Sequence, residues 1–270
     1  MLHFDFTQCL RLGYCQERLL SLSKQLTDVM NKNRLIILTG PSCVGKTPLI
    51  KAFQKLYPKQ EANLNKIVLY NSRVPRPVEK EGIDYYFRKR QEIEELQRKE
   101  NFIVMKVRGD LQALDTSELL SQLENGNVLY EGNTYIAKIL LKHNLLKHVN
   151  KLSIFVSPFS KEEILQSKLD LGEKGFENYV YNTMKSKLIR RAKKLELELT
   201  EKNLQNINQR AADAFHELND APLYDFVISN HDGEGSDNWE EPIPDSTDAY
   251  LAVKKFSNLL KNENSKKSEI

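Results

Sequence analysis

The sequence predicts a three-layer α/β fold, in which a mostly parallel sheet of about five strands carries helices on both faces. Two observations predict it. Short apolar runs, each followed by turn-forming residues, alternate along the chain with longer amphipathic or charged stretches that have helical spacing. The 270 residues are 40% hydrophobic and 29% charged, with no repeat or flexible linker dividing them. This composition is typical of a globular protein with a substantial core.

The first core strand, Leu35–Leu38, leads into a glycine-rich turn. Residues 40–47 read GPSCVGKT and fill every position of the phosphate-loop pattern G-x-x-x-x-G-K-[ST]. Glycines let the backbone N–H groups surround an anion, the lysine reaches the terminal phosphates, and the threonine hydroxyl can hold Mg²⁺. A chance glycine-rich turn is the alternative, but the strand before and the helix after favour a P-loop NTPase fold that binds a nucleoside triphosphate. The predicted nucleotide-binding residues are Gly40, Ser42, Cys43, Val44, Gly45, Lys46, Thr47 and Pro48.

Composition argues against several other classes of protein. A net charge of +3 is too small to indicate nucleic-acid binding. Apolar runs are only a few residues long, so no membrane span is expected. The first residues lack the pattern of a signal peptide, and three scattered cysteines do not form a disulfide framework. We therefore expect a cytoplasmic protein that acts on a small molecule.

The elements around the phosphate loop follow in order. Residues 1–31 contain apolar residues at helical spacing and predict an N-terminal helical extension. A helix should run from Pro48 to Tyr57, and a second strand should cover Lys66–Tyr70. The next residues, 71–87, carry Arg73 and Arg76 in a stiff, proline-containing segment that can direct both guanidinium groups at one oxyanion. A solvated basic loop is the alternative.

The phosphate loop and this segment together resemble the guanylate kinase family, whose signature S-T-T-R-x-x-R-x-x-E-x-x-G-x-x-Y-x-F is matched at six positions. The matching residues are Arg73, Arg76, Glu79, Gly82, Tyr85 and Phe87. The resemblance implies that the two arginines and Tyr85 hold the phosphate of an acceptor nucleotide. Ser72 matches a threonine, whereas Leu69 stands where the family has a phosphate-binding serine.

The part of the chain that should recognise the base departs from the family. Residues 88–100 predict a charged helix and 101–110 a strand that ends in a turn. Val104 stands where the resemblance implies a glutamate that reads guanine, and valine accepts no hydrogen bond. Two roles remain open for the polar residues that follow. They either form a recognition site for another acceptor or serve as turn and capping residues. These residues are Arg108, Asp110, Gln112 and Asp115.

Glu131 ends the next predicted strand and is the carboxylate available at that strand end. The carboxyl edge of an open α/β sheet is where ligand groups collect. Glu131 is therefore predicted to orient metal or acceptor, with Asn133 beside it; a surface acid at a strand end is the alternative.

Another strand at 151–158 precedes a charged helical region, 160–209, whose position and composition fit a lid. Arg190 or Arg191 is predicted to reach the transferring phosphate when the lid closes. The helix around 209–218 and the strand at 224–230 resemble the end of the family domain. By that resemblance Arg210 faces the phosphates and Asn230 lies near the adenine.

The acidic, turn-rich segment 231–247 is longer than the family needs, and either walls the adenine pocket or forms a surface loop. A helix at 248–261 should close the domain. The predicted division is a helical extension (1–31), a guanylate kinase-like domain (32–262) and a disordered tail (263–270). Within the domain, the substrate-binding segment is expected at about 69–115 and the lid at about 160–209.

The leading expectation is ATP-dependent phosphoryl transfer to a nucleoside monophosphate, GMP by default, with Mg²⁺. Two alternatives remain: a kinase for a different phosphorylated acceptor, and a non-catalytic binding module of the same fold.

Overall fold

The computed structural model describes residues 33–75, 79–107, 109–240 and 242–261. The predicted N-terminal helix and C-terminal tail lie outside them. The central sheet has five parallel strands in the order β2-β7-β1-β8-β9, which confirms the predicted fold class. These strands are β1 (Leu35–Thr39), β2 (Leu64–Lys66), β7 (Asn127–Glu131), β8 (Lys151–Ser157) and β9 (Phe226–Ser229).

Helices cover both faces of this sheet. The side chains of β1 alternate between two buried clusters, because successive residues of a strand point to opposite faces. One cluster packs under α1 (Lys46–Leu56) and α8 (Asp248–Lys261). The other packs under α4 (Thr116–Asn125), α5 (Thr134–Lys142), α6 (Lys161–Lys194) and α7 (Glu201–Leu218). A single turn of helix, α2 (Pro58–Glu61), follows α1.

A second, four-stranded sheet in the order β4-β3-β6-β5 was not predicted. Its strands are β3 (Leu69–Asn71), β4 (Tyr85–Phe87), β5 (Phe102–Val107) and β6 (Asp110–Asp115), and α3 (Arg90–Leu96) packs against it. The predicted strand Lys66–Tyr70 was wrong, because its residues belong to β2 of one sheet and β3 of the other. The part that pairs in the first sheet ends at Ile67, whose backbone N–H donates to Leu129 O.

The predicted lid forms two helices that pack against each other. Helix α6 is 34 residues long and bends at Gly172, whose φ of 68° and ψ of 172° are not helical. The helix ends at Lys194, so the predicted continuous helical region is interrupted between 195 and 200. Among the described residues, no helix is both long enough and apolar enough to cross a bilayer.

Candidate active site

The phosphate loop lies between β1 and α1. Gly40 (φ 142°) and Gly45 (φ 97°) adopt conformations that disfavour a side chain, and Gly45 directly precedes the helix. A Cβ on Gly40 would lie 2.2 Å from Val156 O, and one on Gly45 would lie 2.3 Å from Asn230 Nδ2. Both glycines are therefore required by close packing as well as by backbone conformation.

Lys46 is directed into this loop. Its Nζ donates to Gly40 O at 2.9 Å and to Pro41 O at 2.8 Å. Burial lowers the pKa of the ammonium group, whereas the carboxylates of Glu234, Glu131 and Glu217 favour its charged form. A phosphate bound in the loop would add to that favourable field and keep the lysine protonated.

Cys43 has φ 69°, and its thiol is buried and donates to Lys187 O at 3.3 Å. Burial, with a contribution from Glu234, raises its pKa to about 11. A thiol in this environment is unreactive at neutral pH because little thiolate forms. Cys43 therefore contributes backbone shape to the loop.

Asn230 is fully buried behind the loop. Its Nδ2 donates to Val44 O at 2.7 Å, and Trp239 packs beside Gly45. The amide predicted to lie near the adenine thus holds the phosphate loop in shape.

Thr47 and Glu131 are brought together from α1 and the end of β7. The Thr47 hydroxyl donates to Glu131 Oε1 at 2.7 Å. Asn133, predicted beside Glu131, caps α5 by accepting the Ile136 N–H at 3.0 Å. Within the described ranges, no three His, Cys, Asp or Glu side chains are grouped to hold a metal ion. The oxygen pair Thr47–Glu131 nevertheless suits Mg²⁺, which retains waters and takes few protein ligands.

Arg73 follows strand β3 of the second sheet by two residues. Its two terminal nitrogens pair with Glu79 at 2.6 and 2.5 Å, and its guanidinium stacks over the rings of Tyr85 and Phe87. Burial works against the charged guanidinium, but the Glu79 hydrogen bonds and charge outweigh it and raise the pKa of Arg73. Glu79 thus holds the arginine in a defined position on the aromatic side chains.

The two halves of the site are physically connected. Tyr85 packs against the large buried cluster that includes Tyr130, the residue before Glu131. Burial, with a contribution from Tyr85, raises the pKa of Tyr130 well above its ordinary value. A continuous path of packed residues therefore joins Arg73 to the Thr47–Glu131 pair at the phosphate loop.

The remaining residues predicted to bind the acceptor have different outcomes. Asp110 starts β6 and faces Arg73, whose charged form it favours. Arg76 and Arg108 lie outside the described residues. Asp115 caps α4 by accepting the N–H groups of Ser117 and Glu118, as the capping alternative predicted.

The interpretation of Val104 as the base-reading position was wrong. Val104 packs with Ile93 and Ala113 on the α3 face of the second sheet. Its neighbours in β5, Ile103 and Met105, face the central sheet instead. Successive residues of a strand point to opposite faces, so the Val104 side chain lies on the face of the second sheet that α3 covers.

Sequence reasoning did not single out Asn71. It is fully buried on the cleft side of β3, opposite Gln112 of β6. The available signal was a polar residue two positions after Leu69, and therefore on the same face of a short strand.

The basic end of α6 contacts the segment 231–240. The Lys187 ammonium donates to His231 O, and Arg190 donates to Asp232 O. Arg191 pairs with Glu234 at 2.9 Å, and Lys194 with Asp237 and Glu240 at 2.9 and 2.8 Å. The predicted phosphate-binding arginines Arg190 and Arg191 are therefore held by this segment.

Arg210 of α7 is half-buried and lies close enough to affect the pKa of Lys46.

The fold and the site together define a nucleotide-binding protein of the P-loop class. They combine a parallel sheet, a complete phosphate loop at the end of β1, and an arginine held beside the second sheet. A family model described as guanylate kinase matches residues 32–187, more than half of the chain. The chain belongs to the guanylate kinase family.

The chain is similar to two guanylate kinases along most of their own length. The guanylate kinase of Rickettsia felis is 29% identical over 206 residues, covering 76% of this chain and 88% of that protein. The guanylate kinase of Mycoplasma mobile is 32% identical over 168 residues, covering 59% and 80%. A crystal structure of guanylate kinase from Anaplasma phagocytophilum has a TM-score of 0.48 and 19% identity, and each chain is covered to 85%.

Proposed function

We propose that this protein transfers the γ-phosphoryl group of ATP to the phosphate of a nucleoside monophosphate, with GMP as the first acceptor to test. The single observation that carries the proposal is that two anion-binding groups are joined through packed residues. One is the phosphate loop with Lys46, the other is Arg73 on Tyr85 and Phe87, and Tyr85 packs against the buried cluster that contains Tyr130. Membership of the guanylate kinase family supports the same reaction.

The donor phosphates would lie on the backbone N–H groups of residues 40–47, at the start of α1. Lys46 would exchange its two carbonyl partners for β- and γ-phosphate oxygens. Arg73, with Arg76 as predicted, would bind the acceptor phosphate as Glu79 gives up part of its bidentate contact. The rate would come from positioning and charge neutralisation, with no covalent intermediate.

Thr47 and Glu131 would hold Mg²⁺ at the cleft, where the ion would supply charge neutralisation to the bound triphosphate. The residues fit this role because a hydroxyl and a carboxylate oxygen already lie 2.7 Å apart at the loop.

Closure of the α6–α7 region would exclude water, which otherwise competes as an acceptor. Arg190, Arg191 and Arg210 are the candidates for contact with the transferring phosphate. We also propose that residues 32–262 form the kinase domain, with a substrate segment at about 69–115 and a lid at about 160–209. The protein is proposed to be cytoplasmic and to act on nucleotides rather than on nucleic acid.

The test measures ADP and GDP formed from Mg²⁺-ATP and GMP. Lys46→Met should abolish transfer, because it removes the buried charge from the loop. Lys51→Met is the matched control: this lysine is exposed on the same helix, so the rate should be unchanged. ATP binding by the wild type with no transfer to any monophosphate would overturn the proposal and favour a binding module.

A further inference from the structure

The cleft side of the second sheet changes from charged to apolar in successive rows. Leu69, Met105 and Leu114 belong to the buried cluster that includes Tyr130, and alternation along the strands places Asn71 and Gln112 on this same face. Residues that lie side by side across neighbouring strands form rows on this face. Arg73 and Asp110 form the charged row. The next two rows are Phe87, Asn71, Gln112 and Met105, then Tyr85, Leu69, Leu114 and Ile103.

Asn71 and Gln112 are the polar members of this buried region. Asn71 is fully buried and Gln112 is 6% exposed. Asn71 Oδ1 accepts the Arg73 N–H at 3.2 Å. Among the described residues, Asn71 Nδ2 and Gln112 Oε1 have no hydrogen-bond partner. One idle donor thus lies opposite one idle acceptor, an arrangement that is unfavourable unless something else completes it.

We infer that Asn71 and Gln112 contact the base of the acceptor, and that the acceptor class is nucleoside 5′-monophosphates with no strong preference for guanine. A carboxylate only accepts hydrogen bonds and therefore selects the adjacent N–H donors of guanine. A carboxamide pair offers a donor and an acceptor, and each can turn to exchange them. Every nucleobase has an edge with a donor next to an acceptor, so this pair discriminates weakly among them.

The remaining polar and apolar groups support this assignment. In the row beyond the pair, Leu69, Leu114 and Ile103 offer no hydrogen bond to guanine. The fourth member of that row, Tyr85, lies at its edge under the Arg73 guanidinium. Asp110 lies in the row of Arg73, at the phosphate end. The Arg73 guanidinium lies over Phe87, the neighbour of Asn71 in its row. Movement of Arg73 onto a phosphate would open the space above the carboxamides.

This inference rests on the proposed function and is tested by steady-state kinetics with Mg²⁺-ATP and GMP, AMP, CMP or UMP. Wild-type kcat/KM values should agree within about 30-fold, far less than the discrimination of a site built to read one base. Gln112→Met should raise the KM of every acceptor about 10- to 100-fold and leave the KM of ATP unchanged. Its melting temperature should not fall, because methionine replaces a side chain whose buried Oε1 has no partner among the described residues, beside Met105 and Leu114.

Asn71→Leu should give the same kinetic effect, with some loss of stability because the Arg73 N–H loses its partner. Gln122→Met is the matched control, since its Oε1 also lacks a partner among the described residues but lies on α4, outside the second sheet. It should leave every acceptor KM unchanged.

A preference for GMP above about 1,000-fold, which a dedicated reader would give, would overturn the inference and leave the proposed function intact. So would a Gln112→Met enzyme with normal acceptor KM, or one whose only defect is a lower melting temperature. No transfer to any monophosphate by the wild type would overturn the proposed function itself.

Discussion

The Nε atom of Arg191 lies 2.9 Å from the carboxylate of Glu234, and the backbone N–H of Glu234 donates to Cys43 O in the phosphate loop at 3.2 Å. One residue of the 231–240 segment therefore connects helix α6 to the phosphate loop. The side chains are 28% and 11% exposed, so this pair is more buried than an ordinary surface ion pair. We interpret the segment as a brace that sets where the end of α6 sits over the loop.

Replacing Glu234 should show this coupling. Glu234→Gln removes the charge that holds Arg191 and should raise the KM of ATP several-fold, with a loss of about 1–2 kcal/mol in the free energy of unfolding, between the values for exposed and buried pairs. Asp237→Asn is the matched control, because Asp237 is 87% exposed and pairs with Lys194 on the same helix. Equal effects of the two changes on the KM of ATP would contradict the brace.

A side chain at Gly45 should damage the nucleotide site directly. Gly45→Ala places a Cβ at 2.3 Å from Asn230 Nδ2 and forces a residue into φ 97°. We expect at least a tenfold weaker affinity for ATP, measured by titration calorimetry, and about 1–3 kcal/mol of lost stability.

Gly172→Ala provides the comparison for Gly45. Its φ is also positive, at 68°, but no atom lies within 4 Å of the added Cβ, and it is in the bend of α6. It should lower stability through backbone strain without changing the affinity for ATP. Unchanged ATP binding in Gly45→Ala would contradict the close-packing argument.

The parts of the fold that could be predicted are those specified by adjacent residues. The phosphate loop is one such case, because its strand, its glycines and Lys46 are contiguous. The helix 248–261 is another, since its apolar spacing is continuous. The interpretation of Val104 was wrong because the face on which a strand residue lies depends on its register with β6, and no local sequence pattern determines that register. The contacts that Arg190 and Arg191 make with segment 231–240 could not be predicted for a related reason: their partners lie more than 40 residues away along the chain.

Glu131 should determine the requirement for Mg²⁺. Glu131→Gln keeps a hydrogen-bonding oxygen near Thr47 but removes the charge. The Mg²⁺ concentration that gives half-maximal activity should rise about tenfold, with much of kcat restored at high Mg²⁺. Glu124→Gln, exposed on α4, should show no such shift. A reduced kcat that excess Mg²⁺ does not restore would assign Glu131 to the acceptor rather than to the metal.

His231 should make stability depend on pH. Its Nε2 contacts Glu163 at 2.6 Å and its Nδ1 contacts Asp248, so the ring joins the start of α6 to the start of α8. Burial opposes the charged ring, but the hydrogen bonds to Glu163 and Asp248 outweigh it and raise the pKa of His231. Because the folded pKa exceeds the unfolded value of about 6.5, the stabilisation is fully present below that pH and is lost as pH rises through the folded pKa.

His231→Asn should therefore lower the melting temperature by a few degrees near pH 6 and by less near pH 8.5. The comparison between wild type and variant at each pH removes the contribution of other titrating groups. His216→Asn is the control, since His216 is exposed on α7 and should give no pH-dependent difference. A His231→Asn effect that is equal at both pH values, or larger at pH 8.5, would mean that the ring contributes through packing and neutral hydrogen bonds instead of through its charge.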